Sequence, residues 1–291
     1  MDATHALLAG AIDYAGLFPP AQLGMADAVR NYADYRRGGE SWALGRFVVP
    51  ANRLDMLRSA LDALPDDATV GAWPLSILAG PRLSDDLDRI AALDPSQFRP
   101  EALEIRAATP QEIDQIAEQA GRRYETYVEL PLDEDIPALV RALAARGLRA
   151  KMRTGGVTAA AVPDADAVVR FLAACVDAGV PFKATAGLHH PRRGAYRLTY
   201  EINAATAPMH GYLNVFAATA LLRAGASRDE AGRVLLETDP DALRVEESAV
   251  IWRGRRIDGR ALAAMRREGM TAFGSCSFRE PLDELAEVSA G

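Results

Sequence analysis

The chain carries 33 basic residues, and all of them except Lys151 and Lys183 are arginine. An arginine does most of what a surface lysine does. It does not act as a neutral amine: guanidinium stays protonated, whereas an ammonium taken out of water can give up its proton. Both lysines lie in short, strand-like stretches that lead into glycine, RAKMRTGG at 149–156 and PFKATAG at 181–187. Two amines retained at the ends of two successive predicted strands point to amine chemistry. The bland alternative is that codon bias missed two positions, or that two structural ion pairs prefer lysine.

Side chains alternate along a strand, so Lys151 shares a face with Arg153, Lys183 with Thr185, and Glu104 with Arg106. If both lysines point inward, two ammonium groups share one mouth. Each should then depress the pKa of the other, and desolvation should add to the effect. A partly neutral amine at about pH 7 is what Schiff-base catalysis requires. Other candidates carry less. The four histidines are His5, His189, His190 and His210. His189 or His190 with His210 and Glu104 or Glu129 offers the ligand types of a metal site. No HxH or HExxH spacing supports one, and neither metal nor cofactor is expected; the histidines are read as ordering a loop or donating to substrate. Cys276 sits at a strand end with no histidine paired to it in sequence, and reads as a buried thiol. Asp13 and Tyr14 either take part in the chemistry, or Asp13 fixes the loop at Phe18, Pro19 and Pro20. Gly155 and Gly156 either approach an anion or turn the chain.

These groups need a scaffold that gathers strand ends. Short apolar runs at 11–16, 45–50, 75–80, 102–107, 126–131, 149–154, 181–186 and 270–275 read as strands. Amphipathic helical patterns at 25–37, 52–64, 83–93, 109–120, 136–147 and 164–179 lie between them. Thr109 before Pro110 marks a helix start, and Gly147 and Gly179 stand where helices should end. This alternation is the pattern of βα units on a parallel sheet. Eight such strands predict an α/β fold, a (β/α)8 TIM barrel spanning 1–291 as one domain. The spacing breaks once: 187–270 is an elaborated connection between strands seven and eight, with helical patterns at 210–224, 228–237 and 258–268. Its length suits a lid over the mouth or an oligomer contact. In such a barrel the active site lies at the C-terminal ends of the strands.

Bulk composition narrows the partners. The chain is 49% hydrophobic and 25% charged, ample for a large core. Its formal net charge of −7 argues against a nucleic-acid partner, which calls for a basic footprint. No apolar run reaches membrane-spanning length, and the N-terminus lacks the basic region of a signal peptide. Two cysteines make no disulfide framework. A cytoplasmic setting and a small anionic substrate are expected, with self-association left open.

Several strand ends together resemble the deoxyribose-phosphate aldolase family of class I aldolases. The carrying residues are Lys151 followed by Thr154 and Gly155, Lys183 followed by Ala184 and Gly187, and Phe273-Gly274 followed by Ser277. Ile12-Asp13 with Leu17, and Val48-Val49-Pro50, are similar to the family's first two strands. Tyr14 stands where the family has a histidine. Glu104 stands where it has a catalytic aspartate, and Glu129 matches its glutamate. The resemblance implies a metal-free lyase: Lys151 forms a Schiff base with a carbonyl substrate, Lys183 lowers the pKa of that amine, and Glu104 transfers protons. It also implies a phosphate site near Gly187, Gly274 and Ser277; Thr154, Gly155, His189, His190 and Ser275 are further candidates for binding the substrate. Three departures concern the substrate: Arg153 replaces a small polar residue, His189-His190 begins a longer loop, and the long connection before the last strand is foreign to the family. Arg153, Arg192 and Arg193 are suited to pairing a carboxylate or a phosphate. The expected activity is an aldolase-type lyase on a small phosphorylated or acidic carbonyl compound. The alternatives are a barrel that binds a phosphosugar or organic acid without turnover, and a phosphate-binding barrel enzyme that forms no imine.

Overall fold

The structure is a computed structural model that describes residues 2–65 and 70–289. All eight expected strands are present: β1 (Ile12–Tyr14), β2 (Leu44–Pro50), β3 (Trp73–Leu78), β4 (Phe98–Arg106), β5 (Glu125–Glu129), β6 (Arg149–Arg153), β7 (Phe182–Thr185) and, after five further short strands, β13 (Met270–Ser275). Every pairing among these eight is parallel. They close into a barrel in the order β1-β13-β7-β6-β5-β4-β3-β2. With helices between the strands, the chain is an α/β TIM barrel.

The helices begin and end where local chemistry says they should. Those of the first half are α2 (Met25–Arg37), α3 (Leu54–Asp62), α4 (Leu83–Ala91) and α5 (Pro110–Ala120), followed by α6 (Ile136–Arg146) and α7 (Ala165–Ala178). Thr109 caps α5 in a full capping box with Glu112, with Pro110 in the first turn. Gly147 and Gly179 end α6 and α7 in the left-handed conformation, φ 67° and 65°, which an L side chain resists. A short helix before the barrel, α1 (Ala3–Leu8), capped by Asp2, was not expected from the sequence.

The connection from β7 to β13 is richer than three helices. A hairpin, β8 (Gly194–Arg197) with β9 (Thr206–Met209), precedes α8 (Tyr212–Arg223) and α9 (Arg228–Leu235). A three-stranded antiparallel sheet follows, β10 (Leu243–Glu246), β11 (Ala249–Trp252) and β12 (Arg255–Asp258), then α10 (Gly259–Glu268). The chain ends in α11 (Arg279–Ser289). Helix α8 is buried along nearly its whole length and packs against α7, α9 and α10. Tyr212 stacks on Phe273 of β13, centroids 5.0 Å apart. This helix thus fills the barrel's seventh helical position, and its residues join the same apolar cluster as the barrel strands. The hairpin packs over the loop after β6. Leu198, Ala207 and Met209 form a small apolar cluster with Val162, and His210 Nε2 bonds Pro163 O at 2.8 Å. It therefore sits at the C-terminal end of the barrel. Among the described residues no helix is long and apolar enough to cross a membrane.

Candidate active site

Inside the barrel the side chains are polar in two layers. Near the N-terminal ends of the strands, Arg46 bonds Glu101 and Glu125, and Arg149 bonds Glu125 and Tyr127. The upper layer holds the residues singled out from sequence. Glu104, Tyr127 and Glu129 are linked by the β4–β5 register, and Glu129 opposes Lys151, which opposes Lys183. The two lysines are thus direct cross-strand neighbours on the inner face.

A carboxylate separates them. Glu104 Oε2 lies 2.6 Å from Lys151 Nζ, and its Oε1 lies 2.7 Å from Lys183 Nζ. Ser76 donates its hydroxyl to the same Oε1 at 2.5 Å. Lys151 also meets Glu129 Oε2 at 2.8 Å. Lys183 also meets Asp13 Oδ2 at 2.5 Å and faces the Tyr127 ring, 5.5 Å from its centroid. Asp13 Oδ1 accepts from the Arg46 backbone N–H. Asp13 is therefore the anchor of Lys183, a role that neither sequence reading of it anticipated. Tyr14 is packed among Tyr32, Tyr35 and Phe47, its hydroxyl reached by Asn31.

The electrostatics correct one expectation. Burial alone would push the Lys183 ammonium down, but Asp13 and Glu104 overcome it and hold the pKa above the ordinary lysine range. Mutual depression of the two amines is not what this geometry gives Lys183: Glu104 and Asp13 hold its ammonium and outweigh what would lower it. Burial likewise favours a neutral Glu104, yet the Lys151 and Lys183 ammonium groups keep its pKa far below the usual carboxylate range. Glu129 is shifted the same way against its own burial, mainly by Lys151 and then by Arg153 and Arg106.

The two lysines differ in what they leave open. Both are buried, Lys151 3% and Lys183 1% exposed, but two carboxylates and an aromatic face surround the Lys183 ammonium. Lys151 has two carboxylate partners for an ammonium with three donors, and it lines a cavity of about 530 Å³ with Glu104, Glu129, Arg106 and Arg153. Arg106 Nε lies 3.0 Å and Arg153 Nε 3.6 Å from Glu129 Oε1. A larger cavity of about 650 Å³ lies at the other end, by Arg46, Glu101 and Arg149. Barrel chemistry is not done at that end.

The remaining predicted residues collect on the β7–β13 side. The Thr154 hydroxyl donates to Ala186 O, and a Cβ on Gly187 would stand 2.9 Å from Gly155 Cα. These residues pin the β6 and β7 ends together, with Ala186 and Gly187 both at positive φ, 58° and 77°. An alanine in that region is strained, a state common near functional sites. A Cβ on Gly274 would meet Thr185 Oγ1 at 3.4 Å. Ser275 Oγ bonds His189 Nδ1 at 3.0 Å, and Ser277 Oγ accepts from Glu280 N–H at the start of α11. Burial lowers the His189 pKa from 6.5 to about 4, with His190 adding to the shift. Cys276 Sγ lies 3.9 Å from His189 Nδ1, a neighbour sequence order hid, but burial raises the thiol's pKa and works against a thiolate. The cavity bordered by Gly187, His189, His190 and Glu280 measures only about 30 Å³.

The metal set considered from sequence does not assemble: His210 is held by Pro163 and Arg193, and Glu104 and Glu129 by lysines. A different group, His190, Glu280 and Glu284, brings three ligand atoms within 4.8 Å of one another. His190 Nδ1 there lies 2.8 Å from Glu284, and its ring stacks on Tyr196. Arg192 turns away to Leu243 O and Pro240 O. The residues sequence reasoning missed at the site are Ser76 and Asp13's partnership with Lys183. Both follow from inward parity on β3 and β1, which the short strands made hard to fix. The chain matches no known family model, no curated protein and no solved structure.

Proposed function

We propose that this barrel is a class I lyase of the aldolase type, working through an imine at Lys151 on a small phosphorylated or acidic carbonyl compound. The carrying observation is the inequality of the two lysines: Lys183 is closed in, while Lys151 borders the cavity. Buried ion pairs are weak devices for stability, since desolvating each charge costs several kcal/mol. A five-membered buried network at the mouth end is therefore better understood as chemistry than as glue.

Lys151 Nζ attacks the substrate carbonyl carbon. The ammonium first gives one proton to Glu104 or Glu129, the nitrogen sheds a second on addition, and both reach the carbinolamine oxygen, which leaves as water. The resulting iminium keeps its positive charge beside Glu104. When the carbon–carbon bond one atom further on breaks, its electron pair moves onto the iminium nitrogen. A carboxylate takes the proton of the departing hydroxyl, and that fragment leaves as a carbonyl compound. The enamine is then protonated at carbon, and water releases it from Lys151. Lys183 contributes a fixed positive charge that keeps Glu104 ionised and oriented.

Incubation with pooled aldehydes and 2-oxo acids, followed by borohydride reduction and peptide mapping, tests the reading. The expected result is a carbonyl-dependent adduct on the peptide containing Lys151. Absence of any adduct, with phosphate esters bound instead, would favour a non-covalent phosphate-binding barrel.

A further inference from the structure

We infer that the substrate is a 2-oxo acid, its carboxylate held by Arg106 and Arg153; this rests on the imine reading of Lys151. Arg106, Glu129 and Lys151 stand in one register row across β4, β5 and β6. Arg153 is two residues beyond Lys151 on β6, about 7 Å along the strand. Both arginines reach Glu129 Oε1 through Nε. Among the described residues their terminal nitrogens have no protein partner, and their side chains are 75% and 46% exposed. Two guanidinium forks thus face the cavity that Lys151 lines.

Glu129 displays the spacing a ligand must match. One of its oxygens meets Arg106 at 3.0 Å while the other meets Lys151 Nζ at 2.8 Å. A carboxylate on this side therefore lies next to the amine. A carbonyl carbon bonded directly to that carboxylate, as in a 2-oxo acid, comes within reach of Nζ. Imine formation then joins Nζ to C2 and releases the carbonyl oxygen as water.

Charge selects a carboxylate over a phosphate. The cavity is lined by Arg106, Arg153 and Lys151 against Glu104, Glu112 and Glu129, while Lys183 balances Asp13 beneath. These charges cancel before a ligand enters. A carboxylate adds one negative charge, and a phosphate ester adds about two. The start of α5 is already occupied by an anion of the protein: Glu112 Oε2 accepts the Ala108 and Thr109 N–H groups at 2.7 and 3.1 Å. On the β7–β13 side the space by Gly187 is about 30 Å³, far smaller than the roughly 530 Å³ cavity at Lys151.

The test compares the rate of borohydride trapping at Lys151 for pyruvate, methyl pyruvate and glycolaldehyde phosphate. Pyruvate should trap best at low concentration. Arg106→Gln and Arg153→Gln should each weaken its half-saturating concentration roughly ten- to a hundredfold, the loss of one or two charged hydrogen bonds. Both should also narrow the preference over methyl pyruvate, with circular dichroism unchanged. Equal trapping of methyl pyruvate or glycolaldehyde phosphate by wild type, or indifference to both substitutions, overturns the inference and leaves the imine intact. If no carbonyl compound traps at Lys151, the imine reading falls, and calorimetry with oxamate decides the carboxylate site. Oxamate binding weakened by either substitution upholds the site; no binding overturns it.

Discussion

Glu104 is the residue on which the site turns. It divides its two oxygens between Lys151 and Lys183 and receives the Ser76 hydroxyl. Glu104→Gln keeps the shape and removes the charge, leaving two buried ammonium groups short of compensation. Breaking a buried pair by removing one partner costs about 3–5 kcal/mol, so denaturant unfolding should show a loss of that order, together with loss of imine trapping. Lys183→Met acts in the opposite sense on the amine. It removes a positive charge from the neighbourhood of Lys151 and leaves Asp13 and Glu104 to favour the protonated form. The activity profile should move to higher pH, which a pH–rate profile measures directly. A profile that stays in place while activity falls would make Lys183 a merely structural partner. At this scale the sequence was informative because lysine is so rare in the chain. The exclusive use of arginine elsewhere made Lys151 and Lys183 visible without any structure. What it could not convey was their separation by Glu104: the pairing of an ammonium with one carboxylate and not another depends on side-chain reach across three strands.

The elements carry those residues to one place through close approaches at their ends. Gly187 at φ 77° lets the β7 end pass against Gly155, where a Cβ would come within 2.9 Å of backbone. Gly187→Ala should cost about 1–3 kcal/mol through left-handed strain and overlap. It should also slow trapping, because β6 and β7 bear the two lysines; thermal unfolding and trapping rates together check this. The barrel strands and helices α2 to α7 were legible because apolar runs, caps and terminal glycines agree. Thr109-Pro110, Gly147 and Gly179 each act where the local signal said they would. The hairpin at 194–209 and the sheet at 243–258 were not. Their strands are four residues long, too short for a period to register. Helix α1 is shorter than two turns and draws its order from packing on α10 and β10.

For the whole molecule, buried titratable groups set the pH limits of stability. His189 has its pKa depressed by burial from 6.5 to about 4. Between those values the unfolded chain binds the proton and the folded chain does not, so stability is full above pH 6.5 and falls as the pH drops. Glu104, also depressed, adds a second loss below its ordinary value of 4.5. Lys183, raised above 10.5, contributes stability that is present below that value and is lost as the pH rises past it. The Cys175 and Cys276 thiols, raised by burial above 9.0, begin the alkaline loss earlier, so melting temperature should plateau between about pH 6.5 and 9 and fall on both sides. His189→Gln should flatten the first acid step, worth on the order of a few kcal/mol; an unaltered slope between pH 6.5 and 4 would mean His189 titrates normally in the fold. The account as a whole stands on where the barrel forms its covalent bond. Intact-mass analysis after incubation with pyruvate and borohydride, run on wild type, Lys151→Arg and Lys183→Arg, asks that directly. Wild type should gain one reduced adduct on Lys151, Lys183→Arg should gain it more slowly on the same residue, and Lys151→Arg should gain none, since guanidinium does not serve as the nucleophile. An adduct that survives in Lys151→Arg and disappears in Lys183→Arg would contradict the account.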